Sequence, residues 1–370
     1  NTLGYGHPEV DEAVMKTVKD GNMSTLNCPD EVFLSEQLIE MHPWADMARF
    51  ARSGGEANAI AVRIARAAAE KDNVAICGYH GWHDWYLSAN LSDDKSLDGH
   101  LLPGLEPKGV PRNLKNTVFP FRYNQIDELE ELVKKHDIGV IKMEVVRSTG
   151  PKNNFLQKVR NLANEKGIIL IFDECTSGFR ENFGGLHMKY NVEPDIAMFG
   201  KAMGNGYAIT SIIGRRKIMD AAQSTFISST FWTERIGPSA ALKTLEVMKR
   251  EKSWEKITNT GLQISNIWKK LGKKHGLPLI TFGLPALIKM KFECEFNLEY
   301  KTLITQEMLK RGYLASNTVY VCTEHTQDII DKYEKALDEV FSIIGECEQG
   351  KPVSEFLDGP VCYKDFQRIS

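Results

Sequence analysis

The sequence predicts an α/β protein with a largely parallel sheet and a smaller second domain. Three observations carry that expectation. Short apolar, β-branched runs alternate with helical stretches through the first 250 residues, as strands joined by crossover helices do. Two of those runs end abruptly on charge. Ile168-Ile169-Leu170-Ile171-Phe172 stops on Asp173 and Glu174, and Asp195-Ile196-Ala197-Met198-Phe199 stops on Gly200 and Lys201. A length of 370 residues more than fills one compact core, so a large domain plus a smaller one is expected.

Residues 9–19 carry Val10, Val14 and Val18 at four-residue steps just after Pro8, which reads as an amphipathic helix. Residues 31–41 repeat the idea with Val32, Leu38 and Ile39. Between 49 and 66 comes Ser53-Gly54-Gly55-Glu56-Ala57, then an Ala/Ile/Val-rich run. The glycines let backbone approach a ligand, and the free N–H groups and dipole of a helix start suit a phosphate. A plain helix start accounts for the same residues. Residues 74–77 form a short strand, followed by Gly78-Tyr79-His80-Gly81-Trp82-His83-Asp84. No carboxylate or cysteine joins His80, His83 and His100 in a ligand spacing, so no metal is expected.

Residues 91–116 are too rich in Gly and Pro for helix or strand, and a loop of that length is expected to serve a site or an interface. A charged helix, Ile126–Lys135, leads to the strand Ile138–Glu144, which ends on an acid. A helix over 154–166 then feeds the run that stops on Asp173. Past Lys201 come a glycine-rich passage (202–207), a strand over 209–214, and Ser228-Ser229-Thr230-Phe231-Trp232 ahead of a helix over 234–250. From 253 onward, charged helices over 255–274, 298–311 and 327–348 alternate with short strands over 287–292 and 319–322. The expected division is a large domain over 26–250 and a small one over 251–370, the latter joined by residues 1–25.

The net charge of −3 and the ordinary apolar fraction give no reason to expect nucleic acid or a membrane surface as partner. No apolar run reaches spanning length. The seven cysteines are odd in number and never spaced C-x-x-C, which predicts reduced thiols in a cytoplasmic enzyme.

An acid and a lysine at the carboxyl ends of two strands face the ligand crevice of an open α/β sheet. The chemistry that uses such a pair is an aldehyde cofactor with a pyridine ring. The lysine forms a Schiff base with the aldehyde, and the acid keeps the ring nitrogen protonated. The string F-D-E-x-x-x-G-F-R followed by F-G-K resembles the class III pyridoxal-phosphate-dependent aminotransferases, most closely the glutamate-1-semialdehyde 2,1-aminomutase-like proteins. The resemblance runs over nearly the whole chain.

It implies the fold type I architecture of aspartate aminotransferase-like enzymes, with a seven-stranded sheet, pyridoxal 5'-phosphate as cofactor, and a homodimer. It also implies Lys201 and Asp173 as catalytic residues, Ser53, Gly54 and Gly55 at the phosphate, and Tyr79 stacked on the ring. His80 either orders the site or is a core histidine satisfied by backbone. Glu144 stands where a family carboxylate approaches cofactor or substrate, although Val145 replaces the usual proline. Thr230 matches a threonine that reaches the neighbouring subunit's phosphate, and a helix flank explains it as well. In the family, the L-G-x-x-H-P segment matched by Leu3–Pro8 follows an earlier N-terminal stretch.

The function implied is transfer of an amino group from a small-molecule donor to an aldehyde or keto acceptor. The alternative is intramolecular transfer, as in the aminomutase. A decarboxylase, a racemase or an inactive scaffold on the same fold are the remaining readings. The stretch 317–329 lacks the arginine with which relatives grip a carboxylate, so donor and acceptor stay open.

Overall fold

The computed structural model describes residues 1–93, 95–100, 104–146 and 148–363. They divide into two compact units, one built within Leu3–Lys252 with Asn1, the other from Ser253 onward with Thr2. Residues 3–25 thus belong to the first unit.

The first unit holds seven strands: β1 (Met47–Ala51), β2 (Asn73–Cys77), β3 (Val118–Pro120), β4 (Ile138–Glu144), β5 (Ile169–Asp173), β6 (Ile196–Phe199) and β7 (Thr210–Gly214). Their order across the sheet is β1-β7-β6-β5-β4-β2-β3. β7 opposes both neighbours, and the other pairings are parallel. The helices are α1 (Pro8–Asp20), α2 (Pro29–Met41), α3 (Gly54–Ala69), α4 (Asp84–Leu87), α5 (Ile126–Lys135), α6 (Phe155–Lys166), α7 (Arg216–Met219) and α8 (Ile236–Glu251).

Both faces of the sheet are covered, which is why its strands read as unbroken apolar runs rather than alternations. On β6, Ile196 and Met198 join a core with Ile60, Ala61 and Ile64 of α3. Ala197 and Phe199 join the opposite core with Leu34, Leu38 and Leu245 of α2 and α8.

Several expectations need correction. In α1 the buried positions are Val10, Val14 and Thr17, and Val18 is exposed. Four-residue steps overshoot the 3.6-residue turn, so Val18 has rotated roughly 80° from Val10. Val32 of α2 is likewise exposed, and Leu34 and Leu38 face inward. The expected loop over 91–116 contains the buried Leu97 and a short 3₁₀ turn, Arg112–Leu114; residues 94 and 101–103 lie outside the described residues. β1 and β3 are strands that no apolar run announced.

In the second unit α9 (Ser253–Lys274), α10 (Asn297–Lys310) and α11 (Gln327–Glu348) pack with a two-stranded antiparallel sheet, β8 (Leu279–Phe282) and β9 (Lys289–Phe292). Trp268, Met290, Phe292, Tyr300 and Phe341 form its core. The strand expected over 319–322 is an extended segment instead. Its Val319 and Val321 amides donate to Ile288 and Ala286 carbonyls, both at 3.0 Å, and among the described residues the one bridge here is Thr318 with Lys289.

Candidate active site

The parallel strands β2, β4, β5 and β6 all finish at one end of the sheet, and β1, which runs with them, delivers the start of α3 there. That topology gathers Tyr79 and His80, Glu144, Asp173, Lys201 and Ser53–Gly55 from segments far apart in sequence. A larger cavity, about 920 Å³, is lined by Asp46, Arg160 and Asp195. Asp46 and Asp195 precede β1 and β6, so it lies at the opposite end of the sheet from Lys201.

Asp173 closes β5 and is almost wholly buried. One carboxylate oxygen, Oδ2, accepts from His80 Nδ1 at 2.9 Å, which requires the His80 proton on Nδ1. The other, Oδ1, accepts the Cys175 amide at 3.1 Å. The Lys142 ammonium stands 4.0 Å from Oδ2. Burial alone pushes the carboxyl up, but the Lys142 charge, the His80 contact and the Cys175 amide together hold it well below the usual carboxylate range. The group is therefore an anion at every ordinary pH. Burial pulls His80 down to about 4, with the Asp173 hydrogen bond opposing. His80 is thus a neutral ring; its Nε2 is buried without a hydrogen-bond partner.

Lys201 follows Gly200 at the end of β6 in the left-handed region, φ +46°, a conformation costing a non-glycine residue on the order of 1 kcal/mol or more. That turn projects an exposed side chain whose Nζ donates to Thr176 Oγ1 at 2.8 Å. Gly200 is required here for packing: a Cβ on it would lie 2.8 Å from Thr210 Cγ2.

Glu144 ends β4 nearly buried, and its Oε2 accepts the Tyr79 amide at 3.1 Å. Gly78 lets this happen. Its φ is +119°, and a Cβ there would fall 2.6 Å from Glu144 Oε2. Tyr79 is half-buried and meets Tyr86 edge-on, with ring centroids 6.0 Å apart.

Ser53 caps α3, its Oγ accepting from the Glu56 amide at 3.4 Å, while Glu56 Oε2 accepts the amide of Arg52, the residue before the cap, at 2.9 Å. Gly55 is pressed by His83, whose Cε1 would be 2.5 Å from an added Cβ. His83 Nδ1 is buried with no hydrogen-bond partner. Sequence reasoning gave His83 no role; its contact with the first turn of α3 does.

Thr230 is not among these strand-end residues. It is exposed at the head of a 3₁₀ turn, Thr230–Thr233. Arg52 ties that turn to the start of α3, donating to the Phe231 and Glu234 carbonyls at 2.5 and 2.7 Å.

A family profile described as "Aminotransferase class-III" matches residues 1–321. The chain belongs to the class III aminotransferases. This aminotransferase is 31% identical to a 3-aminobutyryl-CoA aminotransferase of Cloacimonas acidaminovorans, over 91% of the chain and 81% of that protein. It is 27% identical to a 2'-deamino-2'-hydroxyneamine transaminase of Streptomyces kanamyceticus, over 91% and 83%. A glutamate-1-semialdehyde 2,1-aminomutase of Ignicoccus hospitalis is also 27% identical, over 92% and 85%. Among solved structures, the Sphingopyxis FumI protein in its PLP internal aldimine form superposes with a TM-score of 0.85 at 23% identity, covering 96% of the chain and 85% of that structure. The fold is therefore that of the PLP-dependent transaminases, and the cofactor of this family is pyridoxal phosphate.

The residues present fit that cofactor. The start of α3 at Gly54 and Gly55, beside the orphaned His83 Nδ1, has the backbone N–H groups and dipole that suit a phosphate. Asp173 offers a buried anion to a ring cation. Lys201 offers a primary amine to an aldehyde.

Proposed function

We propose that Lys201 and Asp173 are the catalytic pair of this aminotransferase. The carrying observation is their convergence: a buried, ionised carboxylate and an accessible primary amine emerge from the ends of the adjacent strands β5 and β6. Bound pyridoxal phosphate supplies an aldehyde for the amine and a ring that draws electrons when its nitrogen is protonated. Lys201 would hold the cofactor through its amine. That amine, when free, would carry a proton as general base and acid.

Asp173 would face the ring nitrogen and favour its protonated form, with His80 holding Asp173 in orientation. Ser53, Gly54 and Gly55 would take the phosphate at the start of α3, Tyr79 would stack on the ring, and Glu144 would stand at the substrate side. Glu144 also lines a cavity of about 150 Å³ with His100, Tyr123 and Thr149.

The reaction proposed is intermolecular transfer to a separate aldehyde or ketone, a reading supported by the two transaminase relatives. A cytoplasmic homodimer is part of this proposal. It is supported by seven free cysteines and by the exposed position of Thr230, tethered through Arg52 to the phosphate-binding helix. The larger unit carries the residues proposed to hold the cofactor.

The test is visible absorbance of the cofactor-loaded protein during addition of L-glutamate. Loss of the band with 2-oxoglutarate appearing is expected. A band that only a diamine or amino-aldehyde perturbs would move the assignment to the aminomutase, and no band at all would refute it.

A further inference from the structure

We propose that Lys142 is a second cation on Asp173, opposing the charge of the cofactor's ring nitrogen and so adjusting how far that nitrogen is protonated. This rests on Asp173 serving the ring, as proposed above.

Lys142 lies mid-strand in β4, fully buried, two residues before Glu144 and on the same face. Its surroundings are apolar: Ile76 and Ile171 are its register partners on the flanking strands. The amine meets Met198 Sδ at 3.0 Å and Asp173 Oδ2 at 4.0 Å. A buried lysine amine whose nearest neighbours are a thioether and a single carboxylate is expensive to keep charged, and burial accordingly lowers its proton affinity while Asp173 raises it.

Among the described residues, the ionisable groups within ion-pair distance of Asp173 are His80 and Lys142. The other titratable groups that bear on the pair are Glu144 on β4, Cys175 after β5 and His100 beyond β2, with Lys201 acting on Cys175. His80 is neutral, so in the absence of cofactor Lys142 supplies the countercharge that lets Asp173 ionise inside the protein.

Loading the cofactor adds a ring cation to a carboxylate already holding one. A group hydrogen-bonded to either Asp173 oxygen lies within roughly 7–9 Å of Lys142 Nζ. At an effective dielectric constant of about 20, two unit charges that far apart shift each other's titration by about 1–2 pH units. Lys142 therefore makes the ring nitrogen easier to deprotonate than Asp173 alone would.

The test uses the whole protein loaded with pyridoxal phosphate labelled with ¹⁵N at the ring, whose resonance reports protonation directly. The wild type is titrated beside Lys142→Met, Lys142→Gln and Asp173→Asn. The neutral Lys142 variants are expected to raise the ring-nitrogen midpoint by about 1–2 pH units, and Asp173→Asn to lower it. A midpoint unmoved in the folded Lys142 variants, with Asp173→Asn still effective, would overturn the role of Lys142 alone. A resonance indifferent to Asp173→Asn would overturn the role of Asp173 and this proposal with it. Should neither Lys142 variant fold, the wild type decides. A midpoint inside its folded pH range supports the proposal, and a nitrogen fully protonated to the alkaline limit of folding overturns it.

Discussion

Replacing Asp173 by asparagine in the cofactor-free protein removes the carboxylate that faces Lys142 at 4.0 Å and leaves the amine buried. The amine has two courses. Staying charged without a partner costs about 3–5 kcal/mol. Losing its proton at pH 7 costs about 4.6 kcal/mol, from an ordinary lysine value of about 10.4 and 1.36 kcal/mol per pH unit. The cheaper course caps the penalty, so a loss of about 3–4.5 kcal/mol is expected. For a cooperative unit of about 250 residues, each kcal/mol is worth roughly 2–4 °C, giving a fall in Tm of about 6–18 °C.

The sign of the pH dependence follows from linkage. A lysine held below its unfolded value binds fewer protons in the folded state, so stability rises with pH. The deficit of Asp173→Asn should therefore shrink between pH 7 and about pH 10, as the unfolded chain also gives up that proton. Thermal unfolding of both cofactor-free proteins across this range is the assay. Adding Lys142→Met to Asp173→Asn should restore most of the loss, because a neutral pair replaces a lone charge. A deficit constant with pH, or no deficit at all, would refute the reasoning.

Other consequences are open to direct measurement. Lys201→Ala should abolish turnover while leaving Tm near the wild-type value, since the side chain is exposed and its hydrogen bond is to the Thr176 hydroxyl. Gly55→Ala would bring a methyl to 2.5 Å from His83; displacing that ring should cost about 1–3 kcal/mol, and cofactor affinity measured by fluorescence titration should fall accordingly. His80 is held at about 4 by burial, below its unfolded 6.5 or so. Its contribution is complete above about pH 6.5 and is lost as pH falls toward 4, about 3 kcal/mol in all. His80→Gln should flatten that acid limb in a melting series. Sedimentation of the wild type should give a dimer, and Thr230→Ala should weaken cofactor affinity without dissociating it.

The strands that build the site were legible because each is a short apolar run cut off by a charge. Ile169–Asp173, Ile196–Phe199 and Ile138–Glu144 lie within a residue of where the runs place them. Asp173 and Lys201 stood out for the same reason, since a charge directly after a buried strand has few places to go. β1 was hidden because Arg49 interrupts Met47–Ala51, and β3 because it is three residues long and ends on Pro120.

The segment 319–322 has β-branched residues, yet it finds carbonyls on one side only and forms no ladder. The run 138–144 is marked in the sequence by its terminal acid, not by Lys142. The signal was present: two positions before Glu144, on a strand buried on both faces, a lysine has no route to water. What sequence alone did not supply was its partner, because Asp173 reaches it from the neighbouring strand, thirty-one positions on.

The pairing of amine and cofactor is tested most directly by chemical trapping. The protein loaded with pyridoxal phosphate is reduced with borohydride, digested and mapped by mass spectrometry. Lys201 should carry the cofactor, and prior addition of a productive amine donor should protect it. Label on Lys142 or on another lysine, with Lys201 unmodified, would contradict the assignment of the reacting amine.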